Sequence, residues 1–195
     1  MKANTRLEFD EDRKVPRSAL IAQLHRGRNC SVALKTHNTI LFLCTGNYYR
    51  SRFAEIYFNW HAVQRSLDWR AESRGLAIDS ANPGFMSRYT VGRLKTLNIP
   101  HDDYQRFPLD LSHADLHAAD KIVAVKEREH RPLLHKRFPQ WLEKTEFWSV
   151  HDIDCATPEE ALPHLEANLA QLLDRLESIT VPAPNPSRPT FKVRH

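Results

Sequence analysis

Cysteine, one-signed charge and long apolar runs are all scarce in this sequence, and each shortage excludes a class of protein. Three cysteines in 195 residues, Cys30, Cys44 and Cys155, are too few and too scattered for the disulfide framework of a small secreted domain, so a reducing, cytoplasmic setting is expected. No stretch approaches the roughly 18 consecutive apolar residues of a membrane span. Asp10, Glu11 and Asp12 stand where a secretory leader would carry its apolar segment, so neither export nor a membrane partner is expected. The 28 Lys and Arg against 24 Asp and Glu leave a formal charge of +4, spread along the chain rather than gathered in blocks. That balance suits an anionic substrate and gives no reason to expect nucleic acid as a partner. There is also no Gly-Lys-Ser/Thr phosphate loop, no dinucleotide fingerprint and no internal repeat.

What is present is an alternation of short apolar runs with helical patterns, in a chain whose 41% hydrophobic content can bury one ordinary core. The run Ile40-Leu41-Phe42-Leu43 predicts a strand buried on both faces, ending at Cys44. Gly46 and Asn47 supply turn chemistry, and from Arg50 onward Phe53, Ala54, Tyr57, Phe58, His61 and Leu67 recur at near-helical spacing. Further strands are expected at 69–76, 120–125 and 146–150. Helices are expected at 87–97, capped by Ser87, at 127–137, and from Thr157 to about Ser178, where Pro158 and two acids begin the helix. The fold class is therefore α/β: a three-layer, mainly parallel four-stranded sheet with helices on both faces, whose ligands sit beyond the carboxyl ends of the strands. Residues 1–38 read as an N-terminal extension with one short helix around 16–26, residues 39–180 as the globular domain, and 181–195 as a proline-rich extended tail.

The chemistry is concentrated after the first strand. Five residues separate Cys44 from Arg50, a spacing that lets a tight loop turn its backbone N–H groups inward around one tetrahedral anion, with a helix N-terminus adding partial positive charge. The thiolate is the reactive form of cysteine, and such a field favours it. Arg50 can hold two phosphoryl oxygens in its planar fork, and Ser51 can donate to the cysteine sulfur. A cysteine ending a buried strand is more often an inert small hydrophobe. That account leaves unexplained the arginine and serine at this offset, at a strand-to-helix junction.

The stretch Ile40-Leu41-Phe42-Leu43-Cys44-Thr45-Gly46-Asn47-Tyr48-Tyr49-Arg50-Ser51-Arg52-Phe53-Ala54-Glu55 resembles the low-molecular-weight protein tyrosine phosphatase family, whose signature is a hydrophobic strand, Cys-x-Gly-Asn-x-x-Arg-Ser and a helix with Ala-Glu. Ser73-Arg74-Gly75 is similar to the family's second-strand segment, and Asp120 to Val123 with His130 to its later strand and helix. The resemblance implies a phosphomonoester hydrolase acting on a phosphorylated protein or small aryl phosphate through a phosphocysteine, with no cofactor and no metal. Cys44 would be the nucleophile, and Thr45, Gly46, Asn47, Tyr48, Tyr49, Arg50 and Ser51 the phosphate loop, with Asn47 and Ser73 bracing it. A late aspartate would be the general acid: Trp148 followed four residues later by an aspartate favours Asp152, and Asp154 remains open because Ile153 stands where the family usually has proline.

The departures from the family matter too. Tyr49 replaces the second loop cysteine common in the family, and Cys30 and Cys155 lie outside the segment that carries the redox cysteines of arsenate reductases. Tyr48 stands where tyrosine phosphatases carry an aliphatic residue and phosphoarginine phosphatases a threonine; a stacking role against an aryl phosphate is expected for it. The alternatives are a phosphate-dependent binding module without turnover and a phosphatase for another substrate such as phosphoarginine. His113 and His117, four apart, read as an incidental pair without a third metal ligand. Residues 126–131 read as a solvated helix start. The oligomeric state is not indicated by the sequence.

Overall fold

The structure, a computed structural model, describes residues 37–150 and 157–180. The expected short helix at 16–26, the tail at 181–195, and Asp152, Asp154 and Cys155 lie outside the described residues. The elements are β1 (Asn38–Cys44), α1 (Arg50–Gln64), β2 (Trp69–Gly75), α2 (Arg88–Thr96), α3 (His113–Ala118), β3 (Lys121–Ala124), α4 (Glu127–Arg137), β4 (Thr145–Phe147) and α5 (Pro158–Thr180). Short 3₁₀ helices at Asp102–Tyr104 and Pro139–Lys144 complete the regular elements of the described residues.

The four strands form one sheet in the order β2-β1-β3-β4, every pair parallel. β1 is central, and its alternation feeds two separate cores. Ile40, Phe42 and Cys44 point to one face, where they meet Phe53, Ile56 and Phe58 of α1, Leu94 of α2 and the leucine stripe of α5 from Leu162 to Leu176. Leu41 and Leu43 point to the other, against Leu116 of α3, Leu134 of α4, Phe138 and Trp141. Both faces of the strand are thus buried, which is why it reads as an uninterrupted apolar run.

Two local differences from expectation have plain causes. The last strand is short, Thr145–Phe147, because Trp148 and Val150 bond to Ala124 and Val125 beyond the regular ladder. The six-residue α3 was not anticipated; a capping box between Ser112 and Asp115 starts it, and its imidazoles pack edge-on against aromatic rings, His113 on Phe138 and His117 on Trp141. Those two histidines therefore serve packing.

The connection after β1 runs through α1 to β2, while the connection after β3 runs through α4 to β4 on the opposite face. Adjacent strands whose connections diverge leave a crevice at their carboxyl ends. Cys44 and the start of α4 face each other across it.

Candidate active site

Cys44 ends β1 with 3% of its surface exposed, and its Sγ lies 2.9 Å from Ser51 Oγ in the first turn of α1. The neighbouring network orients the groups around that serine. Asn47, fully buried, uses Oδ1 to accept from Leu109 N (2.9 Å) and Arg106 Nη1 (3.0 Å), both of which can only donate. Its Nδ2 is therefore the donor to Ser73 Oγ (2.8 Å) and Ser51 Oγ (3.1 Å). A thiolate can only accept, so when Cys44 is ionised Ser51, whose oxygen already accepts from Asn47, gives its hydroxyl hydrogen to the sulfur. The line continues outward, since Ser73 Oγ donates to Glu55 Oε2 at 2.6 Å.

Asn47 also carries the strained backbone of the loop, with φ of 48°, whereas Gly46 keeps an ordinary φ. Asparagine is among the few side chains that tolerate this region. Of the expected turn pair, Asn47 thus makes the left-handed turn, and Gly46 has room for a side chain, its nearest neighbour being Asn82 Nδ2 at 3.5 Å from an added Cβ. Gly75 is the crowded glycine. It pairs with Cys44 across the sheet, and an added Cβ would lie 2.9 Å from the Thr45 carbonyl oxygen and 3.1 Å from Asn47 N.

Arg50, 1% exposed, closes the loop. Its Nη2 meets both carboxylate oxygens of Glu129 at 3.2 and 3.1 Å, and its Nη1 donates to the Val150 carbonyl at 3.4 Å. Thr45 donates its hydroxyl to Glu129 Oε1. Lys126 Nζ is 3.7 Å and His130 Nε2 3.6 Å from the same carboxylate. The Lys126 amide donates to His130 Nδ1 at 3.1 Å, which leaves Nε2 to carry the ring proton toward Glu129. Burial alone would raise the pKa of Glu129, but the His130 N–H facing it, the hydrogen bond from Thr45 and the charge of Arg50 outweigh it and hold the carboxyl well below the ordinary range.

The two loop tyrosines part company. Tyr49 is buried in the core, its ring 6.2 Å from that of Tyr89. Tyr48 is half-buried, donates its hydroxyl to the Pro83 carbonyl at 2.6 Å, and lines an open groove of about 800 Å³ with Met86, Tyr89, Val91 and Lys95.

The structure therefore brings together Cys44, Thr45, Asn47, Arg50, Ser51 and Ser73, and places the Tyr49 ring away from the loop mouth. Three contributors were not singled out from the sequence. Arg106 binds Asn47, Ser73 and Glu55 at once, the last through Nη2 at 2.9 Å. Arg52, fully buried, holds Glu55 from the other side at 2.6 Å. Glu129 corrects the reading of 126–131 as solvated: Glu127 and Arg131 pair at the surface, while Lys126 and His130 are buried and Glu129 turns to Arg50.

The model of the family described as low molecular weight phosphotyrosine protein phosphatase matches residues 39–179. Among solved structures, a low molecular weight protein tyrosine phosphatase from T. tengcongensis superposes with a TM-score of 0.58 at 27% identity, covering 73% of this chain and 99% of that one. YfkJ from Bacillus subtilis aligns with a TM-score of 0.64 at 21% identity over 74% of this chain and 98% of its own. The YwlE arginine phosphatase from Geobacillus stearothermophilus gives 0.55 at 22% identity over 73% and 92%. No curated protein sequence matches the chain.

Proposed function

The chain belongs to the low molecular weight phosphotyrosine protein phosphatase family and is a cysteine-dependent phosphatase, and from that premise we propose that it hydrolyses phosphotyrosine in proteins, or a small aryl phosphate, through a phosphocysteine on Cys44. The observation that carries this reading is the directed hydrogen-bond line from Asn47 through Ser51 to the Cys44 sulfur, 2.9 Å from the serine oxygen, at the mouth of a loop closed by a buried arginine.

Each residue then has a task. The Cys44 thiolate supplies the electron pair for the new S–P bond as the bond from phosphorus to the leaving oxygen breaks. Arg50 and the loop N–H groups from Thr45 to Ser51 hold the equatorial oxygens, whose charge is spread in the transition state. Asp152 is the proposed general acid, giving its proton to the leaving oxygen and then taking one from the water that attacks phosphorus and breaks the S–P bond. Ser51 steadies the sulfur as it leaves with its electron pair. Asn47 and Ser73 keep the loop in shape. A free, reduced Cys44 is what this chemistry needs, which supports a cytoplasmic setting.

The test is hydrolysis of para-nitrophenyl phosphate in EDTA by the wild type and Cys44→Ser. The expected result is metal-independent turnover that the variant lacks while still binding inorganic phosphate. Unchanged hydrolysis by Cys44→Ser would sink the mechanism, and absence of turnover in folded wild type would favour a phosphate-binding module. In the same assay Asp152→Ala should lose more activity than Asp154→Ala on a poor leaving group, and a panel including phosphoarginine fixes the substrate class.

A further inference from the structure

Resting on the phosphatase reading and deepening it, we propose that Glu129 is a positioning residue for the reaction, a brace across the phosphate loop that holds the Arg50 guanidinium in its phosphate-binding pose. Glu129 meets both ends of the segment that follows the nucleophile: it accepts from the Thr45 hydroxyl, next to Cys44, and pairs with Arg50, which closes the loop. One carboxylate from α4 thus fixes the ring of the loop at two points, across the crevice where the connections of β1 and β3 diverge.

The guanidinium itself is fixed in plane as well as in place. Glu129 engages Nη2 with both oxygens, at 3.2 and 3.1 Å, and the Val150 carbonyl accepts from Nη1 at 3.4 Å. A planar group held at two of its nitrogens cannot rotate about its long axis, which is the freedom that would otherwise spoil bidentate recognition of a phosphoryl group. The Arg50 side chain is 2% exposed, and a guanidinium so buried needs a counter-charge to stay there. Glu129 supplies it and is itself kept ionised by Thr45, His130 and Arg50.

A carboxylate on the phosphate-binding arginine could instead act as an internal competitor for the phosphoryl group. The surroundings of Glu129 favour the brace. It is anchored from its own helix side by Lys126, at 3.7 Å, and by His130, at 3.6 Å and fully buried, so the carboxylate belongs to a fixed cluster. The two roles predict opposite signs for the same substitution.

The experiment measures para-nitrophenyl phosphate hydrolysis, calorimetric binding of inorganic phosphate and thermal melting for wild type, Glu129→Gln, Glu129→Asp, Arg50→Lys and the Glu129→Gln/Arg50→Lys double variant. The brace predicts that Glu129→Gln lowers kcat/KM by about 10- to 100-fold, mainly through kcat, and weakens phosphate binding, with partial recovery in Glu129→Asp. In the Arg50→Lys background the glutamine substitution should cost less than about 2-fold, because its effect passes through the arginine. Tighter phosphate binding by Glu129→Gln, no change, or an equal loss in both backgrounds would each overturn the proposal, and a lowered melting temperature with additive losses would mark a merely structural role. If the wild type lacks Cys44-dependent turnover, the phosphatase reading fails, and phosphate binding across the same variants still decides the role of Glu129.

Discussion

Asn47 ties the loop to four neighbouring groups through one side-chain amide. It is fully buried, sits at φ of 48°, and uses both ends of its amide to bind Ser51, Ser73, Arg106 and the Leu109 amide. Replacing it with alanine leaves several buried donors and acceptors unmet and keeps the strained turn, so Asn47→Ala should lose about 2–4 kcal/mol in urea unfolding. Asn47→Gly loses the same hydrogen bonds but relieves the backbone, and should be less destabilised than alanine by about 0.5–1 kcal/mol. Equal losses would show that the left-handed turn contributes nothing. Cys44, Asn47, Arg50 and Ser51 were legible in the sequence because they fall within eight consecutive positions, where offset alone encodes geometry. Arg106 and Glu129 were not, since their partners Asn47 and Arg50 are 59 and 79 positions away and nothing local marks a charged residue that will turn inward.

Between elements, the loop depends on how closely the end of β2 can approach it. Gly75 N and O bond to Leu109 and Leu111 on one side, while its Cα faces the Thr45 and Asn47 backbone on the other. A methyl group at Gly75 would strike the Thr45 carbonyl oxygen at 2.9 Å, and a backbone atom cannot step aside as the tip of the Ile78 side chain can. Gly75→Ala should therefore cost about 1–3 kcal/mol and reduce phosphate affinity together. Gly46→Ala, which meets only Asn82 Nδ2 at 3.5 Å, should keep its stability within about 0.5 kcal/mol. Thermal melts and phosphate titrations of the two variants check the contrast; a destabilised Gly46→Ala with an unaffected Gly75→Ala would reverse it. The strand and helix order was readable for the same reason that β1 was: two-faced burial writes an apolar run, and Ser87, whose side chain accepts from Tyr89 N at 3.2 Å, marks where α2 starts. The short α3 escaped because six residues carry too little periodicity to separate a turn from a helix.

Across the whole molecule, the helix of the last segment is tied to the sheet edge by one carboxylate. Glu146 on β4 accepts from Lys121 of β3 (2.6 Å), from Trp148 Nε1 (2.8 Å) and from Arg175 of α5 (2.8 Å). Burial alone would raise its pKa, but these donors outweigh it and bring it down from 4.5 to about 2. A carboxyl depressed on folding contributes stability that is complete above its unfolded value and is lost as pH falls toward the folded one. The window for Glu146 therefore opens near pH 4.5 and closes near pH 2, and Glu129, depressed in the same direction, adds to the same acid limb. The stability that Glu146 contributes, read as the difference in urea midpoint between wild type and Glu146→Gln, should hold steady from pH 7 to 5 and shrink steeply below 4.5. Glu146→Gln should be less stable than wild type at pH 7 and lose less on acidification, so that the two curves converge toward pH 2. Parallel curves would mean that the carboxylate is no better held in the folded chain than in the unfolded one, and that α5 is secured by its leucine stripe and its ion pairs with Arg65 and Arg93 rather than by Glu146.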